Sequence, residues 1–123
     1  MTYQTDLKLF IDGAWQAGEG RDCHDVVNPA TAETIAHVPL ATKEDLDHAL
    51  DAAERAYPEW RAMDVEKRAK ILHGAAKYLK TNAQDIGALM TQEQGKPIKE
   101  AVAEVYGAAQ MFDWYAEEAK RNY

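Results

Sequence analysis

Only one cysteine, Cys23, occurs among 123 residues, so no intramolecular disulfide can brace the fold. No apolar run approaches the roughly 20 residues that a membrane-spanning helix requires. The N-terminus lacks the basic-then-apolar order of a secretory signal, and transit-peptide composition, low-complexity tracts and internal repeats are missing. These absences lead us to expect a cytoplasmic protein with no membrane partner. Positive charge is also scarce. Fourteen basic residues against 21 acidic ones give a net charge of -7, which repels nucleic-acid phosphates. Nor are the basic groups segregated: Lys67, Arg68 and Lys70 alternate with Glu66 and apolar positions, so no nucleic-acid partner is expected. Gly-x-Gly-x-x-Gly and phosphate-loop patterns are missing throughout, which removes the phosphate-cradling element of a nucleotide site from this stretch.

What is present suits one domain with a core, at a length too short for a two-domain nucleotide enzyme. Apolar residues make up 46% and charged residues 28%, an ordinary balance for a globular chain. The pattern divides near residue 40 into a β-hairpin region, 1–40, and a helical region, 41–123. The fold class expected is therefore α+β, with N-terminal β-hairpins followed by about four helices.

In the hairpin region Leu7, Leu9 and Ile11 alternate with Lys8 and Phe10, and Asp12-Gly13 supplies a turn before Ala14-Trp15-Gln16. A further strand is expected over His24 to Val27, a turn at Asn28-Pro29, and a return strand over Thr34 to Val38. From Thr42 the period becomes helical. Thr42 is the expected N-cap with Asp45 in a capping-box position, and Leu46, Ala49, Leu50, Ala53 and Tyr57 form the apolar face. Pro58 is expected to end or kink that helix. Asp64 caps a second helix, whose inward stripe runs through Arg68, Ile71, Leu72, Ala75 and Leu79, the arginine contributing only its stem. Asn82 caps a third, with Ile86, Leu89 and Met90 inward and Gly95 as the left-handed terminator.

Pro97 is the expected first residue of a fourth and longest helix. Its stripe recurs at alternating steps of four and three through Ile98, Val102, Val105, Ala109, Phe112, Ala116 and Ala119. Met111, Trp114 and Tyr115 widen the apolar surface, so this helix calls for neighbours on more than one side. A large side chain fully buried contributes about 1.5–3 kcal/mol, and 123 residues offer too little to cover both sides. With Tyr123 following directly on a helical pattern, the chain reads as truncated.

Catalytic groups are hard to assemble from these residues. Cys23 sits among strand-like residues with no histidine or helix N-terminus placed to lower its pKa, and reads as an incidental or packed thiol. His24, His37, His48 and His73 have no spacing that sets two ligands on one helical face, so no structural zinc is expected. Glu44, Asp45, Asp47 and Asp51 read as a solvated face and as partners of the helix dipole. Glu93-Gln94-Gly95-Lys96-Pro97 reads as a helix-turn-helix corner.

Taken in order, several of these stretches resemble the opening quarter of the aldehyde dehydrogenase superfamily. The pieces are Phe10-Ile11-Asp12-Gly13-Ala14-Trp15, Val27-Asn28-Pro29-Ala30-Thr31, the helix ending Ala56-Tyr57-Pro58-Glu59-Trp60-Arg61, then Arg68-Ala69-Lys70-Ile71-Leu72 and the Glu93 to Pro97 corner. Phe112 to Arg121 resembles the succinate-semialdehyde branch in particular. The resemblance implies an aldehyde dehydrogenase-like α/β fold, of which this is a part. It also implies a parent enzyme that oxidises an aldehyde with NAD or NADP through a cysteine thiolate, with a glutamate activating water. In that family the thiolate, the glutamate and the dinucleotide-binding units lie beyond these residues, and Cys23 matches a strand position. No catalytic or cofactor-binding residue is therefore expected here, and the chain alone is expected to be inactive.

For the residues present, the resemblance implies that the long helix helps wall the aldehyde tunnel, with Ala103 and Gly107 pointing toward it. It further implies a monovalent cation site using the backbone carbonyl of Val26 or Val27 and the carboxylate of Glu93, an oxygen set that suits a hard cation. Glu93 reads equally well as a helix-end carboxylate near solvent. The partners expected are the remainder of a longer dehydrogenase chain and further copies in a homo-oligomer. The alternative is a non-catalytic helical interaction module or self-associating remnant, with the exposed face of the fourth helix as its contact surface.

Overall fold

Asp12 and Gly13 both adopt positive φ, 52° and 75°, the backbone that a two-residue hairpin turn needs to match the twist of its strands. In the computed structural model, which describes residues 6–121, this turn joins β1 (Leu9–Ile11) to β2 (Ala14–Gln16). They pair antiparallel with Phe10 opposite Trp15, and the two rings meet at 4.9 Å between centroids. Ile11 turns inward while Phe10 and Trp15 stay exposed, as a period of two requires. Leu7, expected within the first strand, precedes it.

The second hairpin consists of β3 (Cys23–Val27) and β4 (Thr34–Pro39), each one residue longer than expected. Its loop is closed by Asn28. The Asn28 side-chain oxygen accepts from the Ala30 amide at 2.9 Å, and its carbonyl accepts from the Ala32 amide at 2.8 Å. The register shifts between Val26 and Val27, where Val26 faces Ala36 but Val27 faces Thr34, leaving Ile35 as the extra residue of a bulge.

The chain divides into two compact units, Thr2–Arg61 and, essentially, 62–123. The first holds both hairpins and nearly all of α1 (Lys43–Ala62). Thr42 and Asp45 form the expected reciprocal cap: the Thr42 amide donates to Asp45 Oδ2 at 2.7 Å and the Asp45 amide to Thr42 Oγ1 at 3.2 Å. Pro58 does not end the helix, which runs four residues past it. The carbonyl of Glu54 loses its donor there, but both residues are exposed, so water can replace the missing bond. No residue of α1 is buried, and Leu46, Leu50 and Tyr57, expected to face inward, are exposed.

The second unit packs α2 (Val65–Thr81), α3 (Ala83–Gln94) and α4 (Ile98–Glu118) together. Asp64 caps α2 as expected, accepting from the Glu66 amide at 2.9 Å. Asn82 differs from expectation. It precedes α3 without a side-chain cap bond, and its Nδ2 donates backwards to the Tyr78 carbonyl at 2.8 Å, closing the end of α2. Pro97 is the N-cap of α4 and not its first helical residue, because its ψ of 135° is extended. Its carbonyl accepts from the amides of Glu100 and Ala101.

The buried line between these helices consists of small residues. Ala69 and Ala76 of α2, Ala83 and Gly87 of α3, and Ala101, Val105, Ala109 and Ala116 of α4 are buried. Ile71, Ile98 and Phe112, expected on the inward stripes, are exposed, Ile71 by 52%. Helix axes approach closely only where side chains are short, so the crossing points select alanine and glycine and displace bulkier groups to the flanks. Among the described residues no large side chain is fully buried.

Candidate functional site: the helix corner and the open face of the long helix

The corner between α3 and α4 is built by Gly95, whose φ of 73° stops α3 while its amide donates to the Thr91 carbonyl at 2.9 Å. Lys96 then turns back along α4 to pair with Glu104, and Pro97 opens α4. Glu93 lies exposed in the last turn of α3. Val26 is half-buried and Val27 exposed at the interrupted end of β3, in the other unit.

Ala103 is exposed and Gly107 half-buried, one helical turn apart on α4, and Trp114 continues the same stripe two turns on. At 100° per residue this stripe lies on the side of α4 opposite the buried Ala101–Val105–Ala109 line. A Cβ added to Gly107 would meet nothing within 4 Å, so the stripe borders open space. A separate cleft of about 260 Å³ between the helices is lined by Leu79, Ile86, Met90, Glu104, Val105 and Ala108, an apolar wall with one charged group and no acid–base pair.

Two polar clusters were not legible from spacing alone. Arg21 reaches from the loop before β3 to the cap of α1, where its guanidinium forks onto both oxygens of Asp45 and also meets Gln16 Oε1 at 3.2 Å. The Arg21 and Asp45 side chains are only 19% and 12% exposed. Asp45 is held well below the usual carboxylate range, first by the Arg21 hydrogen bonds and then by the Thr42 amide, while Arg21 is raised by the same contact. Two residues, Asp45 and Arg21, thus join strand loop to helix. The second cluster joins His73 of α2 to Asp113 and Glu117 of α4, with both ring nitrogens engaged. Spacing puts Asp113 and Glu117 four apart on one face of α4 and His73 and Lys80 seven apart on one face of α2, but it does not say that these two faces meet.

Cys23 is exposed on β3, with its thiol donating to the Arg21 carbonyl at 3.6 Å. Among the described residues no group of three or more histidine, cysteine or acidic side chains is arranged to hold a metal, and no helix is long and apolar enough to cross a membrane. Both described sheets are two-stranded and antiparallel, and neither feeds a Gly-rich turn into a helix N-terminus.

The described residues thus form two short antiparallel hairpins followed by four helices. Residues 15–123 match the aldehyde dehydrogenase family, and the chain belongs to that family. It is 40% identical to the non-phosphorylating aspartate-semialdehyde dehydrogenase of Halomonas elongata, over 97% of this chain and 25% of that protein. It is also 40% identical to the succinate-semialdehyde dehydrogenase (NADP(+)) GabD of Escherichia coli, over 94% of this chain and 24% of that one. The lactaldehyde dehydrogenase structure from Escherichia coli superposes with a TM-score of 0.92 at 37% identity, over 98% of this chain and 25% of that one. The chain therefore spans about a quarter of the length of the relatives it matches, and the strand pairs and four helices correspond to their N-terminal quarter. Equal identity to aspartate- and succinate-semialdehyde enzymes singles out no one subfamily.

Proposed function

We propose that these residues are the N-terminal scaffold of an NAD(P)-dependent enzyme that oxidises an aldehyde to its carboxylic acid, with succinate semialdehyde as the first substrate to test. The observation that carries this reading is a match over nearly the whole chain to only the first quarter of aldehyde dehydrogenases. The chain alone is inactive in this reading, and its partners are the rest of the dehydrogenase polypeptide and further copies in a homo-oligomer. Ala103 and Gly107 face the aldehyde tunnel. Their small size and the open space beside Gly107 support that role. In this reading the Val26 or Val27 carbonyl and the Glu93 carboxylate are each candidate oxygen ligands of a monovalent cation. The register shift that interrupts the β3–β4 ladder at those two valines supports the first half of that set, since hard cations take carbonyl and carboxylate oxygen.

The test is to read the source gene beyond the codon for Tyr123. A frame continuing into a Gly-rich strand-turn-helix and a later cysteine supports the proposal, and the product of that frame should reduce NAD or NADP with succinate semialdehyde. A stop codon at that point overturns it. The exposed Trp114, Tyr115 and Met111 of α4 then favour a second reading, a non-catalytic module that associates through that face. Aldehyde oxidation by the 123-residue chain alone would overturn both.

A further inference from the structure

His73 has a carboxylate at each ring nitrogen, both supplied by α4. Nδ1 lies 2.7 Å from Asp113 Oδ1 and Nε2 lies 2.9 Å from Glu117 Oε1. A neutral imidazole carries one N–H and one lone pair, so it can satisfy one of these oxygens while setting its lone pair against the other. Only the imidazolium donates to both. We infer that His73 is a pH-responsive clamp between α2 and α4, closed while the ring carries both protons and weakened once it carries one.

The neighbouring charges sharpen this reading. Lys80, two turns along α2, lies 2.6 Å from Asp113 Oδ2. Lys120, just past α4, lies 3.1 Å from Glu117 Oε1 and 3.2 Å from Glu66 Oε2 in the first turn of α2. Neither acidic residue of α3, Asp85 or Glu93, is among the groups acting on the ring. Each carboxylate that His73 holds thus has a second cationic partner, and loss of the histidine proton removes only the link across the ring.

His73 is raised above its ordinary 6.5, first by the bond to Asp113 and then by that to Glu117. Asp113 and Glu117 are lowered from 3.8 and 4.5, Asp113 chiefly by Lys80 and Glu117 chiefly by His73. A raised histidine contributes fully below 6.5 and its contribution is lost as pH rises through the folded value. The lowered carboxylates contribute fully above 4.5 and lose their contribution as pH falls through their folded values. The clamp is therefore complete between 4.5 and 6.5 and loosens as pH rises through the raised His73 value. With His73 40% exposed, salt weakens it further. The segment it holds carries Trp114 and Tyr115, in edge contact at 4.8 Å, so pH grades how firmly that pair is held.

The test follows the ring resonances of the four histidines in the full chain from about pH 5 to about pH 9, using His73→Gln or His73→Arg to identify the signal. The His73 resonance, absent from either variant, should titrate above the ordinary imidazole value of 6.5. The urea midpoint of the parent chain should fall from about pH 6 to about pH 8.5, and His73→Arg, charged throughout and able to donate to both carboxylates, should remove that fall. A His73 signal that titrates at or below 6.5 overturns the inference. So does an unchanged pH dependence in His73→Arg.

Discussion

Gly87 of α3 meets Val102 of α4 so closely that a Cβ on the glycine would lie 2.6 Å from Val102 Cγ2 and 3.0 Å from its backbone nitrogen. The second of these atoms cannot swing away, so the absence of a side chain at Gly87 sets how near the two helices come. Gly87→Ala should destabilise the chain by about 1–3 kcal/mol, the usual result of forcing carbon into a filled contact. Gly74, in the middle of α2 with nothing within 4 Å, is the control. Gly74→Ala should stabilise by about 0.5–1 kcal/mol through backbone entropy. Urea unfolding of the two variants should give midpoint shifts of opposite sign.

The Arg21–Asp45 fork predicts acid sensitivity. Asp45 is lowered in the folded chain, so its contribution is complete above its ordinary 3.8 and is lost as pH falls through the lower folded value. Asp45→Asn should reduce stability at neutral pH and flatten the acid limb of a pH–stability curve. Arg21→Ala and Asp45→Asn should also be less than additive when combined, because either change alone breaks the shared contact.

Gly95 holds φ at 73° to end α3, a region that costs an L-residue about 1–2 kcal/mol. Gly95→Ala should lower the melting temperature accordingly, and Gly95→Asn should lower it less, since asparagine tolerates the left-handed region better. Equal melting temperatures for the two variants would contradict this account.

Asn82 offers a test of direction. As an N-cap of α3 it could be replaced by aspartate without loss, since the two residues cap equally well. The structure instead has Nδ2 donating to the Tyr78 carbonyl, which a carboxylate cannot do. Asn82→Asp should therefore cost about 1 kcal/mol, read as a shift in the urea midpoint.

The hairpin turn at Asp12-Gly13, the Thr42–Asp45 cap, the Asp64 cap and the Gly95 terminator were all legible in the chain, as were four helices after two strand pairs. Each depends on a residue and its neighbours within one turn, where side-chain chemistry acts on its own backbone. The corner at Glu93 to Pro97 was legible for the same reason. The segments resembling aldehyde dehydrogenases lie on these elements, and the family match, over residues 15–123, covers all of them except Phe10 to Ala14.

The expected stripe of α4 placed Val105, Ala109 and Ala116 on its buried side, but tertiary structure decided which members of each stripe are buried. Helical spacing placed Ile71, Ile98 and Phe112 inward, whereas the buried positions include Ala69, Ala76, Gly87 and Ala101, which lay outside the expected stripes. Size measures what burial can contribute, but space at a crossing determines which residue can be there. Tertiary structure likewise joined Arg21 to Asp45, 24 positions apart, and His73 to Asp113, 40 apart. No local periodicity relates those pairs, because their distance depends on how separate elements fold back on each other, while the turns and caps depend only on the backbone beside them.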